Sequence, residues 1–333
     1  MARLVDREPG VAPDRLVAQL VPPPRFAAAR FDTYVPAAGK PSQQAALEQL
    51  QSFATTLEPP KKRLFGRSPD RGPAGVYLDG GFGVGKTHLL TALWHASPAP
   101  RAYGTFVELT HLVGALGFGA TVEALSGHRL LAIDEFELDD PGDTVLVSSL
   151  LGRLVDAGVK LAATSNTLPG SLGEGRFAAQ DFLREIQGLS AHFEPVRVDG
   201  EDYRHRGGAQ APEPMSADVV LDRVRQLRGA TCDGLDELLA HLAALHPSRY
   251  GALVEDVPLV ALLDVHPVTD QAAALRLVVL ADRLYDRDVP VLASGVPLEK
   301  LFPPELLDGG YRKKYLRALS RLTALARQGA VIG

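Results

Sequence analysis

The stretch Gly80-Gly81-Phe82-Gly83-Val84-Gly85-Lys86-Thr87 restricts the fold more than any other in the chain. Glycine, four residues and then Gly-Lys-Thr make a phosphate-binding P-loop when a buried strand enters it and a helix leaves it. Both flanks are in place. Ala74-Gly75-Val76-Tyr77-Leu78 is an apolar run of strand length, and Thr87-His88-Leu89-Leu90-Thr91-Ala92-Leu93-Trp94 has helical apolar spacing. The glycines let backbone N–H groups turn inward around a polyphosphate, and the helix N-terminus adds partial positive charge. Read this way, Gly80 through His88 bind the nucleotide, ATP. Lys86 reaches its β- and γ-phosphates, and the Thr87 hydroxyl ligates Mg2+.

A second motif completes the chemistry. Leu130-Leu131-Ala132-Ile133-Asp134-Glu135 is a buried strand ending in two acids. Open α/β sheets place ligands at that carboxyl end. Asp134 is then the Walker B acid that holds the Mg2+ shell, and Glu135 polarises the attacking water. Asn166, at the end of the next apolar run Lys160 to Ser165, is either a sensor of the γ-phosphate or lytic water, or an ordinary turn former. Arg176 and Arg184 follow, each either a surface arginine or a finger reaching a neighbouring subunit's nucleotide.

These elements predict an α/β chain with a parallel P-loop sheet flanked by helices, followed by a C-terminal mixed α/β region; the family resemblance given below implies that the core is AAA+-type. Residues 1–40 read as an arm, in which Arg25 to Tyr34 either pack on the core or meet the nucleotide base. Residues 41–206 read as the P-loop core, 207–215 as a linker rich in Gly and Pro, and 216–333 as a lid or an extension of the sheet. A helix is expected over Pro41 to Leu57 with Ser42 as its N-cap, and a second strand from Ala102 to Leu109. Phe118, between two glycines, is a core residue at a bend or a residue that grips a polypeptide.

The C-terminal region echoes the Walker B region. Asp134 to Arg153-Leu154 has the spacing of Asp264 to Arg283-Leu284, and Leu161-Ala162-Ala163-Thr164 aligns with Val291-Leu292-Ala293-Ser294. The echo reads as a shared strand–helix–strand solution, since no second Gly-Lys-Thr exists. In the last helix Lys313, Lys314, Arg317 and Arg321 form a basic stripe. It is a solvated face, a dock for an acidic partner, or a place for Arg321 as a second sensor.

Composition removes several classes. A net charge of -5 over 333 residues gives no global electrostatic case for nucleic acid. One cysteine, Cys232, allows no internal disulfide or cysteine metal cluster and suits a reducing cytoplasm. No apolar run is long enough to span a bilayer, and the first residues lack the apolar core of a signal peptide.

The chain resembles the family of the bacterial cell division protein ZapE and the mitochondrial AFG-like (lactation-elevated) ATPases. The matching residues are Arg25-Phe26, Phe31-Asp32-Thr33-Tyr34, Gly75 to Thr87, Ile133-Asp134-Glu135-Phe136 and Ala163-Thr164-Ser165-Asn166. Asp202-Tyr203-Arg204, Leu284-Tyr285-Asp286 and Leu319-Ser320-Arg321-Leu322 complete the set. Two stretches depart from that pattern, Thr110 to His128 and the region before Phe182-Leu183. The resemblance implies an AAA+-type ATPase using Mg·ATP. It also implies a homo-oligomer, a hexamer being one option, acting on FtsZ or another division or membrane-associated protein. Its place would be cytoplasmic or peripheral at the division site. The competing class is a loader or helper of a nucleic-acid enzyme, which would need a basic groove and salt-sensitive DNA binding.

Overall fold

The structure is a computed structural model that describes residues 1–9, 16–58, 73–81, 83–138, 140–168, 172, 183–200 and 212–332. It contains two units. The first is Ala12–Pro22 with Phe26–Tyr203, and the second is Met1–Val11, Pro23–Arg25 and Arg204–Gly333. Residues 1–40 are therefore not an arm of their own, since they are divided between the two units. Asp202-Tyr203-Arg204 and the start of the linker lie outside the described residues.

The first unit is built on a five-stranded parallel sheet. Its elements are α1 (Pro41–Thr55), β1 (Gly75–Gly80), α2 (Lys86–Ala96), β2 (Arg101–Thr105), α3 (Phe106–Leu116), α4 (Phe118–Leu125), β3 (Leu130–Asp134), α5 (Pro141–Asp156), β4 (Lys160–Ser165), α6 (Leu183–Ser190) and β5 (Phe193–Val198). The spatial order is β2-β3-β4-β1-β5. Alternate side chains of β3 feed two apolar layers. Leu131 and Ile133 pack with Leu109, Leu112, Leu150 and Leu154, while Leu130 and Ala132 pack with Leu50, Leu89 and Leu93. Both faces are covered, so β1 and β3 are buried throughout, as parallel strands require.

Two local expectations shift, each for a physical reason. The second strand stops at Thr105 rather than Leu109, because Thr105 and Glu108 form a capping box that starts α3. Ser42 is not the N-cap of α1; Lys40 is, and the Ser42 hydroxyl instead accepts the Asp199 N–H at 2.9 Å. Gly117, with a φ of 84°, separates α3 from α4. Phe118 packs half-buried against the core there.

The second unit holds its own parallel sheet, so its strands do not extend the first. Its elements are α7 (Ala217–Gln226), β6 (Thr231–Gly234), α8 (Leu235–Ala244), β7 (Val260–Val265), α9 (Gln271–Asp286), β8 (Val291–Gly295) and α10 (Arg312–Ala330), in sheet order β6-β7-β8. Isolated bridges add Ala2 beside β6 and Met215 beside β8. The N-terminal segment is fixed by Asp233, 1% exposed, whose carboxylate accepts the N–H groups of Leu4 and Val5 at 2.9 and 3.2 Å. Leu4 is fully buried in this unit's core.

The echo is real in three dimensions. Helices α5 and α9 are both 16 residues long and capped by Asp140 and Asp270, each accepting from the N–H three residues on. After each helix the chain turns back through the same bond, Val159 N–H to Leu154 O and Val289 N–H to Leu284 O. Thr164 Oγ1 accepts the Glu135 N–H at 3.1 Å, and Ser294 Oγ accepts the Asp264 N–H at 3.1 Å. Glu135 and Asp264 share left-handed φ values of 52° and 56°. Asp264 thus stands at the place of Glu135, one residue from where the sequence spacing put it, and Leu263 stands where Asp134 does. Met215 and the N-cap Ser216 occupy the topological position of β1 and the P-loop, without its glycines.

Candidate functional site

The carboxyl ends of β1, β4 and β3 lie side by side, and the P-loop, Asn166 and Asp134 leave from them. Two glycines are dictated by space. A Cβ on Gly80 would lie 2.0 Å from the Val198 carbonyl oxygen, so the loop can start beside β5 only with glycine. Gly85 has φ 93° and caps α2, and a Cβ there would lie 2.6 Å from the Tyr34 ring. Phe82 lies outside the described residues.

Lys86 opens α2 and is buried at 9% exposure. Its Nζ donates to the carbonyl oxygens of Gly80 at 2.9 Å and Gly81 at 2.5 Å, and to Asn166 Oδ1 at 2.9 Å. A buried ammonium needs such partners, and they hold it against the loop and the sensor candidate together. Asn166 Nδ2 donates onward to Glu137 Oε1 at 3.3 Å.

Asp134 is buried at 7% exposure, and its orientation is fixed from several sides. Oδ1 accepts from Thr87 Oγ1 at 3.3 Å, from the Glu135 N–H at 3.1 Å and from the Thr164 hydroxyl. Oδ2 accepts from Tyr103 OH at 2.8 Å. A hydroxyl and a carboxylate converging in this way are hard oxygen donors. They suit Mg2+, which takes few protein ligands and completes its shell with substrate oxygens and water. Glu135 is half-buried and follows in the left-handed region, a strained conformation for a non-glycine residue that places its side chain away from the β3 register.

The N-terminal segment supports the loop from the other side. Tyr34 OH donates to the Val84 carbonyl at 3.1 Å, and burial pushes its phenol up to about 12. His88, expected among the nucleotide-binding residues, faces this segment: Nε2 lies 3.0 Å from both Arg30 O and Thr33 Oγ1. Of this segment Tyr34 is buried and Phe31 half-buried in the cluster that includes Leu89, Leu90 and Leu93 of the P-loop helix, while Arg30, Asp32 and Thr33 are exposed.

The remaining arginines separate. Arg176 lies outside the described residues, and Arg184 is exposed on α6. Arg321 belongs to the second unit, where it is buried and pairs with Asp282. Tyr103, Thr164 and Glu137 escaped the sequence reading as site residues. Glu137 alone had a local signal, as the third acid of Asp134-Glu135-Phe136-Glu137. Tyr103 enters only because β2 lies beside β3 in the sheet.

Among the described residues no helix is long and apolar enough to cross a membrane. Cell division protein ZapE of Escherichia coli K12 is 27% identical over an alignment of 291 residues, covering 74% of this chain and 76% of that protein. Among solved structures, DnaI is 18% identical, with a TM-score of 0.43 over 56% of this chain and 98% of DnaI. The DnaC helicase loader is 19% identical, with a TM-score of 0.37 over 53% of this chain and 99% of DnaC. The family model of the AFG1-like ATPases matches residues 11–227 and 212–331. With its P-loop and Walker B residues assembled on one parallel sheet and that match running over most of its length, the chain belongs to the AFG1-like ATPase family.

Proposed function

We propose that this ATPase uses Mg·ATP turnover to remodel or regulate a protein of the cell-division apparatus, FtsZ being the first candidate, as a cytoplasmic protein or one peripheral at the division site. The observation that carries the chemistry is the meeting of Lys86 with Asn166 beside the Thr87–Asp134 pair. The partner rests on the similarity to ZapE.

In this reading the loop N–H groups and Lys86 would hold the phosphates of ATP, and Thr87 and Asp134 would hold Mg2+. Bound there, Mg2+ would neutralise charge on the phosphate oxygens. Glu135 takes the proton of the attacking water, and Asn166 orients that water. The held carboxylate of Asp134 cannot turn toward the water, because its hydrogen bonds fix both oxygens. That supports Glu135 as the base. Homo-oligomerisation is part of the proposal, with Arg176 or Arg184 of one subunit supplying positive charge to the next subunit's nucleotide.

Steady-state ATP hydrolysis measured alone, with FtsZ polymer and with duplex DNA tests the partner. Stimulation by FtsZ alone is expected. Stimulation by DNA alone would replace this reading with a nucleic-acid loader, and no response to either would remove FtsZ as the partner.

A further inference from the structure

Glu137 is a buried acid beside the reaction centre that the mechanism above does not use. It is 5% exposed, and its neighbours Phe136 and Leu138 are fully buried. The Phe136 N–H donates to the Thr164 carbonyl at 2.7 Å, which ties this segment to β4. The carboxylate is thereby delivered to Asn166 rather than to solvent, with Oε1 3.3 Å from Nδ2.

The Asn166 amide has an ammonium at one end and a carboxylate at the other. Its Oδ1 faces Lys86 Nζ and its Nδ2 faces Glu137. Both contacts are charge-assisted in this orientation. In the flipped orientation N–H would face ammonium and oxygen would face carboxylate, so both would turn repulsive. When Lys86 turns to the phosphates it gives up its hold on Oδ1. Glu137 then still holds the amide through Nδ2.

We propose that Glu137 is a positioning residue. It holds Asn166 with Oδ1 toward the P-loop, so that Asn166 accepts a hydrogen bond from the attacking water rather than donating to the γ-phosphate. The inference rests on Asn166 acting in turnover, and the test separates the two claims.

The test compares E137M, which fills the volume without an equivalent acceptor, with E137Q, which keeps one. Both are made in the wild-type and N166A backgrounds, with kcat and KM for ATP measured for each. E137M is expected to lower kcat about tenfold with KM within about twofold, less than the roughly 100-fold or more of a group that itself transfers the proton, because Glu137 acts through Asn166. E137Q should stay within about threefold of wild type, and E137M should cost less than about twofold once Asn166 is absent, since coupled residues are not additive. Wild-type turnover in E137M, or the same loss with and without Asn166, would overturn the proposal. A loss in E137Q as deep as in E135Q would overturn it too, by making Glu137 itself the base. Unchanged turnover in N166A would instead remove the Asn166 reading, and the Glu137 proposal with it. Should E137M fail to fold, E137A in the same two backgrounds takes its place, with the same expected and overturning results.

Discussion

Tyr34 shows how a single residue outside both motifs supports the loop. Its ring closes the space that Gly85 leaves open, and its hydroxyl satisfies the buried Val84 carbonyl. Burial raises its folded-state pKa to about 12. In the unfolded chain tyrosine titrates near 10. The sign follows from linkage: the contribution is fully present below about pH 10 and is lost as pH rises toward 12, because the unfolded state releases its proton first. Y34F should cost about 1 kcal/mol near pH 8 through the lost hydrogen bond. The gap to wild type should shrink or reverse above about pH 11, where only the wild-type unfolded chain gains from ionisation. Urea midpoints of both proteins at the two pH values check this. A constant gap would mean that Tyr34 does not titrate with folding. Tyr34 could be quoted from the sequence as part of a family pattern, but its purpose could not, because the loop it touches is far along the chain.

At the scale of elements, the motif strands and helices were legible wherever a long apolar period ran uninterrupted, as in β1, β3, α5 and α9. The four-residue strand β6, Thr-Cys-Asp-Gly, was not, since Asp and Gly are poor strand formers and only pairing with β7 makes it one. The basic stripe of α10 was misread for a similar reason. Lys313 is exposed, but Arg317 and Arg321 are buried at 6% and 9% exposure beside Asp282 of α9. Arg317 Nη2 donates to Asp282 Oδ2 at 2.6 Å, and Arg321 pairs with Oδ1. The Tyr285 ring carries Arg25 Cζ at 3.9 Å and Arg321 Cζ at 5.2 Å. Charge periodicity on one helix cannot reveal an acid on another. D282A leaves two arginines without that buried acid and should destabilise the second unit by about 3–5 kcal/mol. Replacing all three charges, as D282L/R317M/R321M, should recover most of that loss. Denaturant midpoints followed by hydrogen exchange in α9 and α10 test it, and a triple variant as unstable as D282A would refute the pairing.

Across the whole molecule, one topology is used twice and armed once. Strand, helix and strand repeat from β3-α5-β4 to β7-α9-β8, down to the capping aspartates and the hydroxyl under the strained acid. The sequence spacing exposed the repeat but missed the one-residue offset, because a left-handed residue at a strand end leaves no mark in composition. Only the first unit has the P-loop glycines, Lys86, and Asp134 where the second has Leu263. The molecule should therefore bind one ATP per chain and lose that binding with Lys86 alone.

The most direct test is ATP binding and turnover measured together on wild type, K86A and E135Q. The account predicts that E135Q binds one ATP per chain yet hydrolyses it at least about 100-fold more slowly, as loss of a general base requires, while K86A does not bind tightly. Wild-type turnover by E135Q, or undiminished affinity in K86A, would contradict the site described above.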